Sequence, residues 1–136
     1  MYPEELVYPM RKQLTDQGFE ELKSVVDVDN MIAKKGTTLV VVNSVCGCAA
    51  ANARPGALTS VLNEKKPDHL TTVFAGVDQE AVEKVRYYLA PFPPSSPAIA
   101  LFKDGELVHI LERHHIEGRP AEMISENLVL AYNEHC

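Results

Sequence analysis

Cys46-Gly47-Cys48 is the stretch of this chain in which residue type and spacing combine into chemistry. A cysteine reacts as its thiolate, so the question is whether its surroundings favour the anion. The run Thr37-Thr38-Leu39-Val40-Val41-Val42-Asn43 precedes the pair. It is β-branched and does not alternate, as a strand covered on both faces requires. Ala49-Ala50-Ala51-Asn52-Ala53 follows and favours helix. Cys46 therefore sits where a buried strand gives way to a helix. There the free N–H groups and the positive dipole end of the first turn favour an anion. Gly47 has no side chain to obstruct an incoming disulfide and tolerates unusual dihedrals. Cys48 is the candidate for resolving a mixed disulfide.

The C-x-C spacing carries its own expectation. In a helix, residues two apart lie about 200° around the axis, so the two sulfurs are expected to point away from each other. The competing reading is a metal site made from both thiolates with His114 and His115. C-x-C departs from the usual C-x₂₋₄-C ligand spacing, however. His114 and His115, following Glu112-Arg113, read as solvated loop residues, and no metal is expected. Cys136, the last residue, reads as a terminal thiol with no scaffold to orient it. Three cysteines in all is too few, and an odd number, for a secreted disulfide framework.

The elements that must position this motif follow from patterning. Pro9 is expected to open a first helix, which Gly18 stops. Residues 19–22 read as a short extended piece. Asp27 or Asp29 is expected to cap a short helix through Met31 and Ile32. The helix after Cys48 is expected to reach Leu62 or Asn63, with a kink near Arg54-Pro55-Gly56. Residues 70–75 read as a strand, and Asp78 as the cap of a helix carrying Val82, Val85, Tyr88 and Leu89 on one stripe. Residues 90–97, rich in proline, can only be a loop. Strands over 98–102 and 107–111 flank Asp104-Gly105, a strong hairpin signal. A last helix begins after Gly118 and Pro120, with Ala121, Ile124, Leu128 and Ala131 on its apolar face. A βαβ half followed by a ββα half gives an α/β fold, a central mixed β-sheet flanked by helices on both faces. At 136 residues, one domain over 1–136 is expected.

The net charge of -6 argues against nucleic acid as a partner, since an acidic domain gains nothing from counterion release on a phosphate backbone. No apolar run approaches the roughly eighteen residues of a spanning helix, and no membrane partner is expected. Met1-Tyr2-Pro3-Glu4-Glu5 is acidic where a signal peptide would be basic, so a cytoplasmic location is expected.

Asn43-Ser44-Val45-Cys46-Gly47-Cys48-Ala49-Ala50, continued by Asn52-Ala53-Arg54-Pro55-Gly56, resembles the signature of the bacilliredoxin family. The resemblance extends through Ser96-Pro97-Ala98 and Phe102-Lys103-Asp104-Gly105 to His114-His115-Ile116-Glu117-Gly118. It implies a thioredoxin-like fold and a thiol–disulfide oxidoreductase that removes bacillithiol from S-bacillithiolated protein cysteines. Cys46 would be the nucleophile and Cys48 the resolving thiol. The resemblance also implies a cis Pro97 lying against the active-site turn, with Ser96 backbone groups offered to a substrate strand. Gly47, Ser96 and Pro97 are thus the candidate substrate-binding residues. No tightly bound cofactor is implied. The implied co-substrate is bacillithiol, and the implied partners are S-bacillithiolated proteins and a bacillithiol disulfide reductase. The chain departs from ordinary thioredoxins in having no tryptophan and no CxxC, so general disulfide reduction fed by thioredoxin reductase is not expected. The rival readings are a protein disulfide isomerase and a non-catalytic metal or iron–sulfur carrier.

Overall fold

In the computed structural model, which describes residues 2–136, five strands form one sheet in the order β1-β3-β2-β4-β5. Its centre is β2 (Thr37–Asn43), buried at every position, as the unalternating β-branched run requires. β2 runs parallel to β3 (His69–Phe74) and antiparallel to β4 (Ala98–Lys103). β1 (Glu20–Glu21) adds a short parallel edge to β3, and β5 (Glu106–Leu111) closes the other edge antiparallel to β4. The hairpin joining β4 to β5 turns on Asp104 (φ 50°) and Gly105 (φ 82°). Two consecutive positive φ values are what a two-residue turn matched to strand twist needs.

The pleat of β2 divides the core. Leu39 and Val41 face one cluster, with Leu14 of α1 (Glu4–Thr15), Ala57 of α3 (Arg54–Ser60) and Ile124, Leu128 and Tyr132 of α6 (Ala121–His135). Val40 and Val42 face the other cluster, with Val28 and Met31 of α2 (Val25–Ala33) and Val82, Val85 and Leu89 of α4 (Gln79–Leu89). Helices therefore cover both faces, and the strand that leads to Cys46 is fixed from either side.

Several boundaries differ from the sequence expectations, each for a physical reason. α1 starts at Glu4 and carries Pro9 inside it. Glu4 and Glu5 in its first turn suit the helix dipole, and Val7, Arg11 and Leu14 share a buried stripe that outweighs the one hydrogen bond Pro9 removes. The cap of α2 is Ser24, whose Oγ accepts from the Asp27 N–H at 3.1 Å, so neither Asp27 nor Asp29 fills that position. Asp78 does precede α4, but its carboxylate makes no cap; it turns to Arg11, at 2.9 and 3.1 Å. A one-turn helix, α5 (Arg113–Ile116), occupies the segment expected to be a histidine loop. Among the described residues no helix is long and apolar enough to cross a membrane.

Candidate active site

The chain leaves β2 at Asn43, and Cys46 is where the helix begins. The Cys46 carbonyl accepts from the N–H groups of Ala49 and Ala50, at 3.1 and 3.2 Å, which makes Cys46 the N-cap residue. The following turn is a π segment over Ala49–Ala53, in which the Arg54 N–H reaches back to the Ala49 carbonyl. Where a kink near Arg54-Pro55-Gly56 is expected, the irregularity is this π segment just ahead of it. A wider turn accommodates the proline ring and missing donor, and such turns recur at functional sites.

An N-cap side chain is not governed by the helical wheel, and here the expectation that the sulfurs point apart fails. The Sγ atoms of Cys46 and Cys48 face each other 2.7 Å apart, longer than a disulfide, and both cysteines are free. Burial alone would raise the Cys46 thiol's pKa. Hydrogen bonds from the side chains of Cys48 and Ser44 and from the N–H groups of Ala49 and Cys48 outweigh it and bring the thiol below its ordinary value. Cys48 shifts the other way: burial, then its hydrogen bond to Cys46 and the charge there, push it up against the pull of Arg113. The two shifts run in opposite directions, and of the two sulfurs Cys46 is the one favoured as thiolate. Sequence placed Cys46 at a helix start; Ser44, which also accepts the Cys46 N–H at 3.3 Å, adds a donor that was not foreseen.

Gly47 is exposed and its φ is not positive, so the turn does not require glycine's left-handed freedom. A Cβ built there would meet nothing within 4 Å. What glycine supplies is an unobstructed approach to the sulfurs. The Ser96–Pro97 bond is cis, as is Ala90–Pro91. Pro97 is buried and leads into β4, whose Ala98 pairs with Val42, next to the end of β2. The Ser96 carbonyl accepts from Arg113 Nη1 at 3.2 Å, which leaves its second lone pair for another donor.

Arg113 itself was legible only as part of a charged pair. In the fold its N–H donates to Ser95 Oγ at 2.6 Å and its Nε to Glu117 at 2.8 Å. Its pKa is raised, first by the Glu117 hydrogen bond and then by the charges of Cys48 and Cys46. It also lines an open cleft of about 470 Å³, with Arg86, Ser95, Ser96, Glu112 and His114 among the other walls. Glu112, His114 and His115 present ligand atoms within 4.8 Å of one another, a group that contains neither cysteine of the motif. Glu112 and His115 are already committed to a capping box, in which His115 Nδ1 accepts the Glu112 N–H at 3.0 Å. Burial, and then His114, lower the pKa of His115 and favour its neutral form.

Comparison with known proteins settles the family. A protein-family profile described as Disulphide isomerase matches residues 2–136. A bacilliredoxin of Cytophaga hutchinsonii is 58% identical over 134 residues, covering 98% of this chain and 99% of that one. The chain belongs to the bacilliredoxin family. A bacilliredoxin of Halalkalibacterium halodurans is 56% identical, covering 99% of this chain and 94% of its own length. Among solved structures, oxidised thioredoxin from Plasmodium falciparum superposes with a TM-score of 0.60 at 18% identity, covering 85% of this chain and 98% of that one. Mitochondrial thioredoxin 3 from Saccharomyces cerevisiae gives 0.60 at 14% identity, covering 90% and 98%. The fold is thioredoxin-like, and membership in the bacilliredoxins makes the protein a thiol–disulfide oxidoreductase.

Proposed function

We propose that this bacilliredoxin removes bacillithiol from S-bacillithiolated proteins in the cytoplasm, with Cys46 as nucleophile. The observation that carries the reading is the pairing of an N-capping Cys46, favoured as thiolate, with a Cys48 thiol 2.7 Å away. The Cys46 thiolate attacks the bacillithiol sulfur of the protein–bacillithiol disulfide. A Cys46–bacillithiol disulfide forms, and the substrate cysteine leaves as thiolate and takes a proton from solvent. Two completions conserve atoms and electrons. Cys48, on losing its proton, attacks Cys46 Sγ and expels bacillithiol thiolate, leaving a Cys46–Cys48 disulfide. Alternatively, a second bacillithiol thiolate attacks the bound bacillithiol sulfur, freeing Cys46 and leaving bacillithiol disulfide for a bacillithiol disulfide reductase. No general base is needed when the nucleophile is already ionised. Arg113, whose charge acts on both sulfurs, favours an anionic exchange partner.

Protein disulfide isomerisation is the second reading, favoured by the description of the matching family profile. It begins with the same attack by Cys46 but on a protein–protein disulfide. Intact-mass measurement separates the two. Mixed with an S-bacillithiolated protein, the reduced enzyme is expected to strip the adduct and to end as a Cys46 adduct or as the Cys46–Cys48 disulfide. Retention of the adduct by the substrate, with rapid rearrangement of a scrambled protein disulfide, would overturn the proposal in favour of the isomerase.

A further inference from the structure

Two arginines of this chain are almost fully buried, and their surroundings are opposite. Arg11, 6% exposed, is ringed by acid, with Glu4 at 3.1 Å, Glu21 at 3.3 Å and Asp78 at 2.9 Å. Arg54 is buried more deeply, at 3% exposed, and every oxygen it reaches is neutral. Its Nε donates to Gln13 Oε1 at 2.7 Å, and its Nη1 to Asn43 Oδ1 at 2.8 Å and to the Ser44 carbonyl at 2.9 Å. Among the described residues no carboxylate forms an ion pair with it. A guanidinium does not shed its proton in a protein, and burying one without a counter-charge is unfavourable.

The place of this uncompensated charge is informative. Asn43 ends β2, and Ser44 begins the loop to Cys46. Asn43 Oδ1 also accepts the Ser44 N–H at 2.8 Å, and Ser44 Oγ accepts the Cys46 N–H at 3.3 Å. The network thus runs from Arg54 through the two residues that aim the nucleophile; burial works against the charge on Arg54, and the negative charge of Cys46 works for it.

We propose that Arg54 is a positioning residue for thiol exchange: its buried guanidinium fixes the Asn43–Ser44 corner and stands as the counter-charge of the Cys46 thiolate. The inference rests on Cys46 being the nucleophile and deepens that reading. It assigns Arg54 a part in the first attack and, when a second bacillithiol completes the reaction, in the release of Cys46. A thiolate at Cys46 compensates the buried charge, and a mixed disulfide removes that compensation. Where a second bacillithiol completes the exchange, expulsion of Cys46 as thiolate is therefore favoured too, since a better-stabilised thiolate leaves faster. The other titratable groups acting on Cys46 are Cys48 in the same loop and Arg113 from α5, so both are kept intact in the test.

The test reads the pH midpoint of Cys46 alkylation by iodoacetamide, located by peptide mapping, in reduced Cys136→Ser protein with and without substitution at Arg54. Arg54→Gln is expected to raise the midpoint by about one pH unit, the lower end of the effect of a nearby opposite charge. Arg54→Lys, which keeps the charge but not the planar fork, is expected to recover part of that shift. A midpoint unmoved in Arg54→Gln would overturn the inference alone. Alkylation of Cys48 ahead of Cys46 in the unsubstituted protein would overturn the inference together with the nucleophile assignment. If the Arg54 variants do not fold, the Cys136→Ser protein with Arg54 intact still decides. Cys46 is capped either with iodoacetate, which leaves a negative charge, or with iodoacetamide, which leaves a neutral group of similar shape. The anionic form is expected to melt at the higher temperature, and equal melting temperatures would overturn the proposal.

Discussion

Arg11 and Asp78 form a two-pronged ion pair, Nη1 to Oδ2 at 2.9 Å and Nη2 to Oδ1 at 3.1 Å, that ties α1 to the start of α4. The pair explains why Asp78 does not cap its own helix: a buried guanidinium is the stronger claimant on the carboxylate. Arg11→Met would leave the Asp78 and Glu21 carboxylates without the arginine that pairs with both. The expected loss is about 3 kcal/mol, the scale for removing one partner of a buried pair. Urea unfolding reads it as a lower midpoint with unchanged slope. A midpoint matching that of the unsubstituted protein would mean that solvent reaches the two carboxylates.

Gly56 sets the closeness of α3 to α6. A Cβ there would lie 2.7 Å from Ile124 Cγ2 and 3.2 Å from the Ala121 carbonyl, so one of the helices would have to shift. Gly56→Ala is expected to destabilise the fold by about 1–3 kcal/mol, the usual range for overpacking, despite alanine's better helix propensity. Thermal unfolding monitored by circular dichroism measures the outcome. A stabilised variant would show that backbone propensity outweighs the contact.

The strand, the hairpin and the position of Cys46 are legible in the sequence because each is written in a short window. β2 is a β-branched run, Asp104-Gly105 a two-residue turn, and Cys46 lies between a strand signal and a helix signal. The failures share a different cause. Ser24, Asp27 and Asp29 are all competent caps, and which one caps depends on where α2 packs. Four-residue α5 is too short to show a period. Arg54 belongs to a motif visible in sequence, but its partner Gln13 is 41 positions away, and Arg113 meets Ser96 across 17. Nothing local marks either arginine as part of the site. The helical-wheel argument for Cys46 and Cys48 fails because it treats an N-cap residue as if it were inside the helix.

The two thiols give stability opposite pH dependences. Cys46 ionises at lower pH in the folded protein than in the unfolded chain. Between those two values the unfolded state holds more protons, so stability rises with pH. The gain is complete above the unfolded value and is lost as pH falls through the folded one. Cys48, raised in the fold, has the reverse sign: its contribution is present below its unfolded value and lost as pH rises through its folded one. Relative to Cys46→Ser, the reduced protein is expected to gain melting temperature on going from about pH 6 to about pH 8, below the ordinary cysteine range in which Cys48 would begin to count. A constant difference between the two proteins across that window would contradict the assignment of the thiolate to Cys46.

The sharpest expectation separates the two cysteines by chemistry. Cys46 caps the helix, receives the N–H groups of Cys48 and Ala49, and is the thiol lowered toward ionisation. Cys48 donates to it and is the thiol held back. Cys46→Ala should abolish transfer of bacillithiol from a modified protein, because the remaining thiol is protonated and has lost its partner. Cys48→Ala should retain the first transfer, though more slowly near neutral pH, since Cys46 loses one of the hydrogen bonds that stabilise its thiolate. It should also accumulate a bacillithiol adduct on Cys46, because the resolving sulfur 2.7 Å away is gone. Intact mass gives the adduct, peptide mapping gives its position, and added bacillithiol should release it. Cys136 is exposed and follows α6, outside the Cys46–Cys48 loop, so Cys136→Ser should leave the first transfer unchanged. An adduct on Cys48 with activity surviving in Cys46→Ala would reverse the roles assigned to the two sulfurs. Equal activity in both single variants would move the reaction away from this loop.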